Sequence, residues 1–424
     1  MATLTFEREN IGRLTPRIFV WLLAAQVFGA FLTETKLLPD IPNNVGMFEV
    51  TGVVLIASAA LYFYKENIPL QTHPVIWLLA AILALAALSQ AQVPYERQVF
   101  AAVNLAIVLF MLVFVITLYN VMQLRTEHLI YILQFFAWSA LISSVWIIVE
   151  SGMNGGAYGL SGPFRNRAAA GISMLTSFWV VLLYALWPGL SLRWRYQLYL
   201  TLLLIIYCIA IAGRRSVYVS LIVGAGMLLG CSALTSGRST LRIAGILVLV
   251  IGAMGGLYFY ADDISPAASF YRDRVGLIDD RLEMAAGQGD DAKDNFIVNQ
   301  RRGVLRAVAD HPVTGIGWGG FYESQYSPTG HEVHSTPLRF LAELGVPGFM
   351  LYLILMGRLL WGVTYLWWSQ RNGVYRLPTL ILCAALWSLL TSYVYNRHIT
   401  ERTFWLLLVI IITAESTLKR NYEL

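Results

Sequence analysis

Residues 99–121 read VFAAVNLAIVLFMLVFVITLYNV. No charged side chain interrupts the run, and a bilayer-crossing helix needs roughly 20 mostly apolar residues. The pattern recurs along the chain, with spans expected near 16–33, 47–64, 74–91, 99–121, 129–150, 168–187, 196–212, 216–235, 241–261, 343–368, 377–396 and 403–418. The stretch 343–368 has the length of a re-entrant or tilted piece followed by a shorter span. The 424 residues are 57% hydrophobic and 13% charged, with a mean hydropathy of +0.62; soluble domains carry about a quarter charged residues. The expected fold is therefore an all-α polytopic membrane protein of about 12 transmembrane helices, with one long external loop containing short helices. Met1 to Pro16 is polar and lacks a cleavable apolar leader, so the first apolar run reads as a retained span. Three regions are expected: an N-terminal bundle over 1–261 with about nine spans, the loop over 262–336, and a C-terminal bundle over 337–424 with about three spans.

The net charge of +5 reports topology and contact with anionic membrane lipids; no basic-aromatic repeat suggests a nucleic-acid partner. The three cysteines, Cys208, Cys231 and Cys383, lie in or beside apolar runs, and their spacing fits no metal knuckle. With the N-terminus in the cytoplasm, every loop segment on that side carries Lys or Arg: Arg8, Arg13, Arg17, Lys65, Arg125, Arg193, Arg195, Arg238, Arg242, Arg371, Arg376, Lys419 and Arg420. Both termini are accordingly expected in the cytoplasm and the 262–336 loop outside.

Several arginines break this rule. Arg165 and Arg167 fall in an external turn, Arg214 and Arg215 in a very short one, Arg397 and Arg402 around the last, and Arg301, Arg302, Arg306 and Arg339 in the loop and its exit. One reading is snorkelling or pairing with nearby acids. The other is function: guanidinium forks onto phosphate oxygens, and charge at the membrane edge marks substrate paths. A lipid-linked phosphate or pyrophosphate in the outer leaflet fits the second.

Within the loop, helices are expected near 265–285 and 294–310, the latter stopped by Pro312. Asp279, Asp280, Glu283, Asp290, Asp291 and Asp294 read as a solvated face more than a metal site. The glycine-rich Thr314–Phe321 segment lacks the flanking features of a nucleotide loop; a tight turn packing Trp318 and Phe321 onto the membrane surface is expected, with sugar contact as the other reading. His331 and His334 stand at a spacing that hints at metal, but no third ligand is evident. Ser335 reads as an N-cap and Pro337 as a first-turn residue of a helix that Gly345 can close, with Pro347 beyond it. His334 thus sits at a helix N-terminus, where the dipole favours the neutral ring, and a neutral ring can take a proton from a hydroxyl. The other reading is a histidine that caps or anchors.

The segment His334-Ser335-x-x-Leu338-x-x-Leu341-Ala342-Glu343-Leu344-Gly345-Val346-Pro347-Gly348 resembles the signature of the bacterial O-antigen ligase and O-antigen polymerase superfamily. His311-Pro312-x-x-Gly315-x-Gly317-x-Gly319-x-Phe321 and Ala212-Gly213-Arg214-Arg215-Ser216 are similar to two further motifs of that family. The resemblance implies a GT-C-like, metal-independent, inverting glycosyltransferase with no cofactor, in the bacterial inner membrane, working on the periplasmic side. Its donor would be undecaprenyl-pyrophosphate-linked O-antigen and its acceptor lipid A–core oligosaccharide, completing lipopolysaccharide. His334 takes the place of the family's essential histidine. Arg215 matches its arginine beside the short turn, with Arg214 an added one, and Arg301 or Arg302 its loop arginine. Arg165 and Arg167 join these as donor pyrophosphate candidates, with Arg339, His331 and Arg397 as secondary ones. Glu401, or nothing, fills the acid of the last external turn. A single long loop near the C-terminal spans favours ligase over polymerase or protein O-oligosaccharyltransferase. A lipid or polysaccharide transporter would show matched halves, which the chain lacks.

Overall fold

Apart from 241–261, each expected span coincides with a helix in the computed structural model, which describes residues 17–32, 46–153, 162–164, 167–212, 214–233, 245, 292–322, 324–327, 330, 332–371, 373–395 and 402–423. The helices are α1 (Arg17–Phe31), α2 (Met47–Lys65), α3 (Pro74–Ser89), α4 (Gln98–Leu124), α5 (Thr126–Met153), α6 (Arg167–Ala185), α7 (Leu192–Ala212), α8 (Arg215–Ala233), α9 (Ala292–Asp310), α10 (Thr336–Ser369), α11 (Arg376–Tyr395) and α12 (Arg402–Glu423). No strand occurs among the described residues. Among the described residues seven helices, namely α2, α3, α4, α5, α7, α10 and α11, are long and apolar enough to cross a membrane. Shorter apolar helices coincide with α1, α6 and α8. The chain is a multi-pass membrane protein. The expected span 241–261, the helix near 265–285 and most of the acidic run lie outside the described residues.

Burial orders the bundle. α6 is buried without interruption from Ala169 to Ala185, and α12 from Thr403 to Glu415. A helix that hides every face must stand inside the bundle. α6 packs on α5, α7, α8, α11 and α12, and α12 on α1, α4, α5, α6 and α10. The outer helices present large apolar side chains outward: Trp21, Leu61, Trp77, Val99 and Trp361 are exposed. In water such a surface would drive association; facing lipid, it is the expected exterior of helices that close their own backbone hydrogen bonds.

Charge inside the bundle is paired. Glu415 on α12 is buried and receives Arg358 of α10 (Nη2 to Oε1, 2.7 Å) and His73 at the start of α3 (Nε2 to Oε2, 3.4 Å). His73 Nδ1 accepts from the Val75 backbone N–H at 3.3 Å, which assigns the ring proton to Nε2, facing Glu415. A Cβ at Gly362 would stand 2.5 Å from Glu415 Oε2, so the missing side chain is what admits the carboxylate to α10. Where α12 begins, Arg402 Nε donates to Glu49 Oε1 at 2.7 Å, while Glu49 Oε2 accepts from Gly46 N–H at 2.8 Å. One carboxylate thus caps α2 and ties it to α12.

α10 is two helices in one. At Gly345 the backbone leaves the helical region (φ 69°, ψ −168°), and Pro347 follows. The expected closure at Gly345 is a kink, after which the apolar face resumes and carries the chain on to Ser369. A Cβ there would stand 2.7 Å from the Pro312 carbonyl and 2.8 Å from Val313; only glycine serves at this φ and this approach. Gly345→Ala is expected to cost about 1–3 kcal/mol, read as a lowered thermal midpoint in detergent. Gly357→Ala, at a position where a Cβ meets nothing within 4 Å, is expected to leave the midpoint unchanged or raise it. Equal midpoints for the two variants would remove the kink from the account.

Candidate functional site

The glycine-rich segment expected as a turn wraps the kink of α10. Gly315, Gly317 and Gly319 have φ of 62°, 90° and 81°, left-handed values that L side chains resist. A side chain at Gly315 would overlap the Glu343 backbone, so the two chains touch directly. The turn's amides are spent on the protein. Ile316 N–H donates to the Ala342 carbonyl (3.1 Å), Gly317 N–H to the Glu343 carbonyl (3.1 Å), Trp318 N–H to Ser89 Oγ (3.1 Å), and Gly319 N–H to Glu343 Oε2 (2.9 Å). Val346 N–H returns to the Pro312 carbonyl at 2.8 Å. These four turn amides therefore cannot line a phosphate cradle. Trp318 and Phe321, expected on the membrane surface, are 2% and 0% exposed and sit in the protein interior.

Glu343 holds this junction. The same Oε2 that accepts from Gly319 also takes Arg339 Nε at 2.9 Å, and both residues are buried. The Arg339 guanidinium lies 4.5 Å from the centroid of the Trp318 ring, a cation–π contact strengthened by desolvation. Arg339, a secondary donor-binding candidate in the sequence, thus has its Nε and its flat face engaged by the scaffold. Its i, i+4 spacing to Glu343 was the signal for that pairing.

Above the turn lies a small second core of Val304 and Ala307 from α9, Ile316, Phe321, Tyr326, Val333 and Ala342. α9 follows the expected 294–310 helix and ends at Asp310, two residues before Pro312. Gly303 lets the chain pass close: a Cβ there would collide with the Tyr326 carbonyl. Tyr326 Oη donates to Asp310 at 2.8 Å, and its burial and that bond raise the phenol pKa, keeping the donor protonated. Val333 is fully buried, and the next residue, His334, is exposed. Ser335 occupies the expected N-cap and Pro337 the first turn, but the Ser335 hydroxyl makes no capping bond. Arg301 and Arg302 are exposed on α9, and Gln300 beside them bonds the Glu332 carbonyl and the His334 N–H, on both sides of Val333. The His334 backbone and the helix that carries the loop arginines are therefore packed and hydrogen-bonded together.

Just inside the bundle, an apolar cavity is lined by Leu79, Ile82, Val108, Trp318, Thr336 and Met356, among others. Thr336 lies two residues from His334, so the cavity begins at the foot of the candidate site.

Arg214 directly precedes α8, its carbonyl accepting from Val217 and Tyr218 N–H, and its stem packs near Gly171 of α6. Arg167 and Arg215 begin α6 and α8; their side chains, and all of Arg165, His331, Arg397 and Glu401, lie outside the described residues. Among the described residues no group of three His, Cys, Asp or Glu forms a metal-binding set.

The fold defines a helical, multi-pass membrane protein with a compact loop unit at one end of its spans. A family model described as O-antigen ligase matches residues 200–353, a stretch that takes in the Arg214–Arg215 turn, α9, the glycine turn, His334 and the kink. The match supports a likeness to the O-antigen ligase superfamily and suggests a glycosyltransferase-like enzyme of the ligase or polymerase type. No curated protein matches the chain.

Because Arg339 and Glu343 are buried together, removing one leaves the other unpaired. Glu343→Ala is expected to cost about 3–5 kcal/mol, seen as loss of folded, monodisperse protein in detergent. Arg339→Met combined with Glu343→Leu should recover part of that loss, since an apolar pair removes the uncompensated charge. A single Glu343→Ala variant as stable as the parent would refute this role.

Proposed function

We propose that the chain is an O-antigen ligase: it moves O-antigen polysaccharide from undecaprenyl pyrophosphate to lipid A–core oligosaccharide at the periplasmic face of the bacterial inner membrane. One observation carries this reading. His334 is exposed at the head of α10, held in the same unit as exposed Arg301 and Arg302, within the stretch that the O-antigen ligase model matches.

In the reaction, His334 takes the proton of an acceptor sugar hydroxyl. The freed oxygen attacks the anomeric carbon from the face opposite the leaving group, so configuration inverts. The bond from that carbon to the pyrophosphate oxygen breaks, and the electron pair leaves with the lipid pyrophosphate. Arg301 and Arg302 stabilise the charge that develops there, an electrostatic term that is often the largest in catalysis. By the family resemblance, Arg214, Arg215, Arg165 and Arg167 are further arginines for the donor pyrophosphate. The donor's energy resides in its pyrophosphate linkage, so the reaction draws on no metal or nucleotide. In this reading both termini are cytoplasmic, and the loop of 262–336 joins an N-terminal bundle over 1–261 to a C-terminal one over 337–424.

His334→Ala, expressed in cells lacking their own ligase, is expected to give lipopolysaccharide without O-antigen on gels, with lipid-linked glycan accumulating. Loss of a general base corresponds to roughly 10²–10⁴ in rate. Normal ladders from the variant would sink the catalytic role. A parent protein that lengthens glycan without attaching it to lipid A–core would assign the chain to the polymerases.

A further inference from the structure

The residue that sets His334 in place has no chemistry of its own. Gln300, 6% exposed on the inward face of α9 with Val304 and Ala307, uses both ends of its amide on the segment that carries the histidine. Its Nε2 donates to the Glu332 carbonyl at 2.8 Å, and its Oε1 accepts from the His334 N–H at 3.3 Å. An amide has both a donor and an acceptor end, and this arrangement reads one backbone group on each side of Val333. Val333 itself is buried between them in the small core with Val304 and Ala307. The segment is thus pinned at three consecutive residues: by its carbonyl at Glu332, its side chain at Val333 and its amide at His334.

Gln300 precedes Arg301 and Arg302 on the same helix. The clamp therefore fixes the histidine relative to the two exposed guanidiniums, the distance on which proton removal and leaving-group stabilisation would have to agree. The Ser335 hydroxyl that follows makes no cap bond, so the clamp from Gln300 is the side-chain contact seen to hold the His334 backbone. We infer that Gln300 is a positioning residue for the glycosyl-transfer reaction, holding His334 in register with Arg301 and Arg302 through the 332–334 backbone. The inference rests on the reading of His334 as the base.

Because misplacement by about 1 Å can cost roughly 100-fold in rate, Gln300→Leu is expected to lower kcat about 10- to 100-fold while KM for donor changes by less than about 3-fold. The assay uses the purified full-length protein with a polyprenyl-pyrophosphate-linked glycan and lipid A–core. Gln300→Glu keeps an acceptor for the His334 N–H and should retain more kcat than Gln300→Leu. Hydrogen exchange gives an independent readout. In Gln300→Leu the 332–335 peptide should lose protection while α10 beyond the kink keeps it; a general structural defect would release both. Wild-type kcat in Gln300→Leu, or unchanged exchange at 332–335, with His334→Ala inactive, overturns the positioning role alone. Full activity of His334→Ala in the same assay overturns the base assignment instead. Should Gln300→Leu fail to fold, Gln300→Glu carries the test: its kcat must fall and 332–335 must exchange faster with KM held, and parental values for both overturn the inference.

Discussion

A single carboxylate oxygen, Glu343 Oε2, joins the loop to the membrane bundle. It accepts from Arg339 on its own helix and from the amide of Gly319 in the turn that wraps that helix. A buried charge is tolerable only when paired and hydrogen-bonded, and here the pairing requires the two segments to be in contact. Around it, Gly345 supplies the break in α10 and Gly315 the close approach. Trp318 covers the guanidinium. Everything above this junction inherits its placement, including the small core that carries α9 and the exposed His334.

The polar groups of this chain thus divide into two sets by what surrounds them. Glu415, Arg358 and His73 settle their charge within the bundle and tie α12 to α10 and α3. Arg301, Arg302 and His334 are exposed on the loop unit. Buried pairs position helices; exposed groups of unlike kind, held in one frame, are available to a substrate. Gln300 belongs to the first set by burial and serves the second by its contacts.

Much of this was readable in advance for a physical reason. Membrane spans follow from local composition, so α4 is evident in its own residues, and the end of α9 and the break in α10 are written in Pro312, Gly345 and Pro347. His334 was legible because a histidine at a helix start after a polar stretch is conspicuous, and its motif resembles a known family's. Arg339 shows the limit. As a charge at the membrane edge it resembled Arg301, yet it faces inward, and its partner stands one helical turn away. Trp318 and Phe321 likewise carry no local mark that separates a membrane-facing ring from a buried one.

The sequence by itself determined the class of the molecule, the course of most of its spans, a break at Gly345 and the candidate histidine, since each depends on residues close together in the chain. Only the tertiary structure decided which arginine is buried, that the glycine turn spends its amides on α3 and α10, and that Gln300 holds the 332–334 segment. Those contacts join residues 24 to 34 positions apart in the loop unit and more than 200 apart across the bundle. No local pattern encodes them, because the energy that selects them appears only when both partners lose water together.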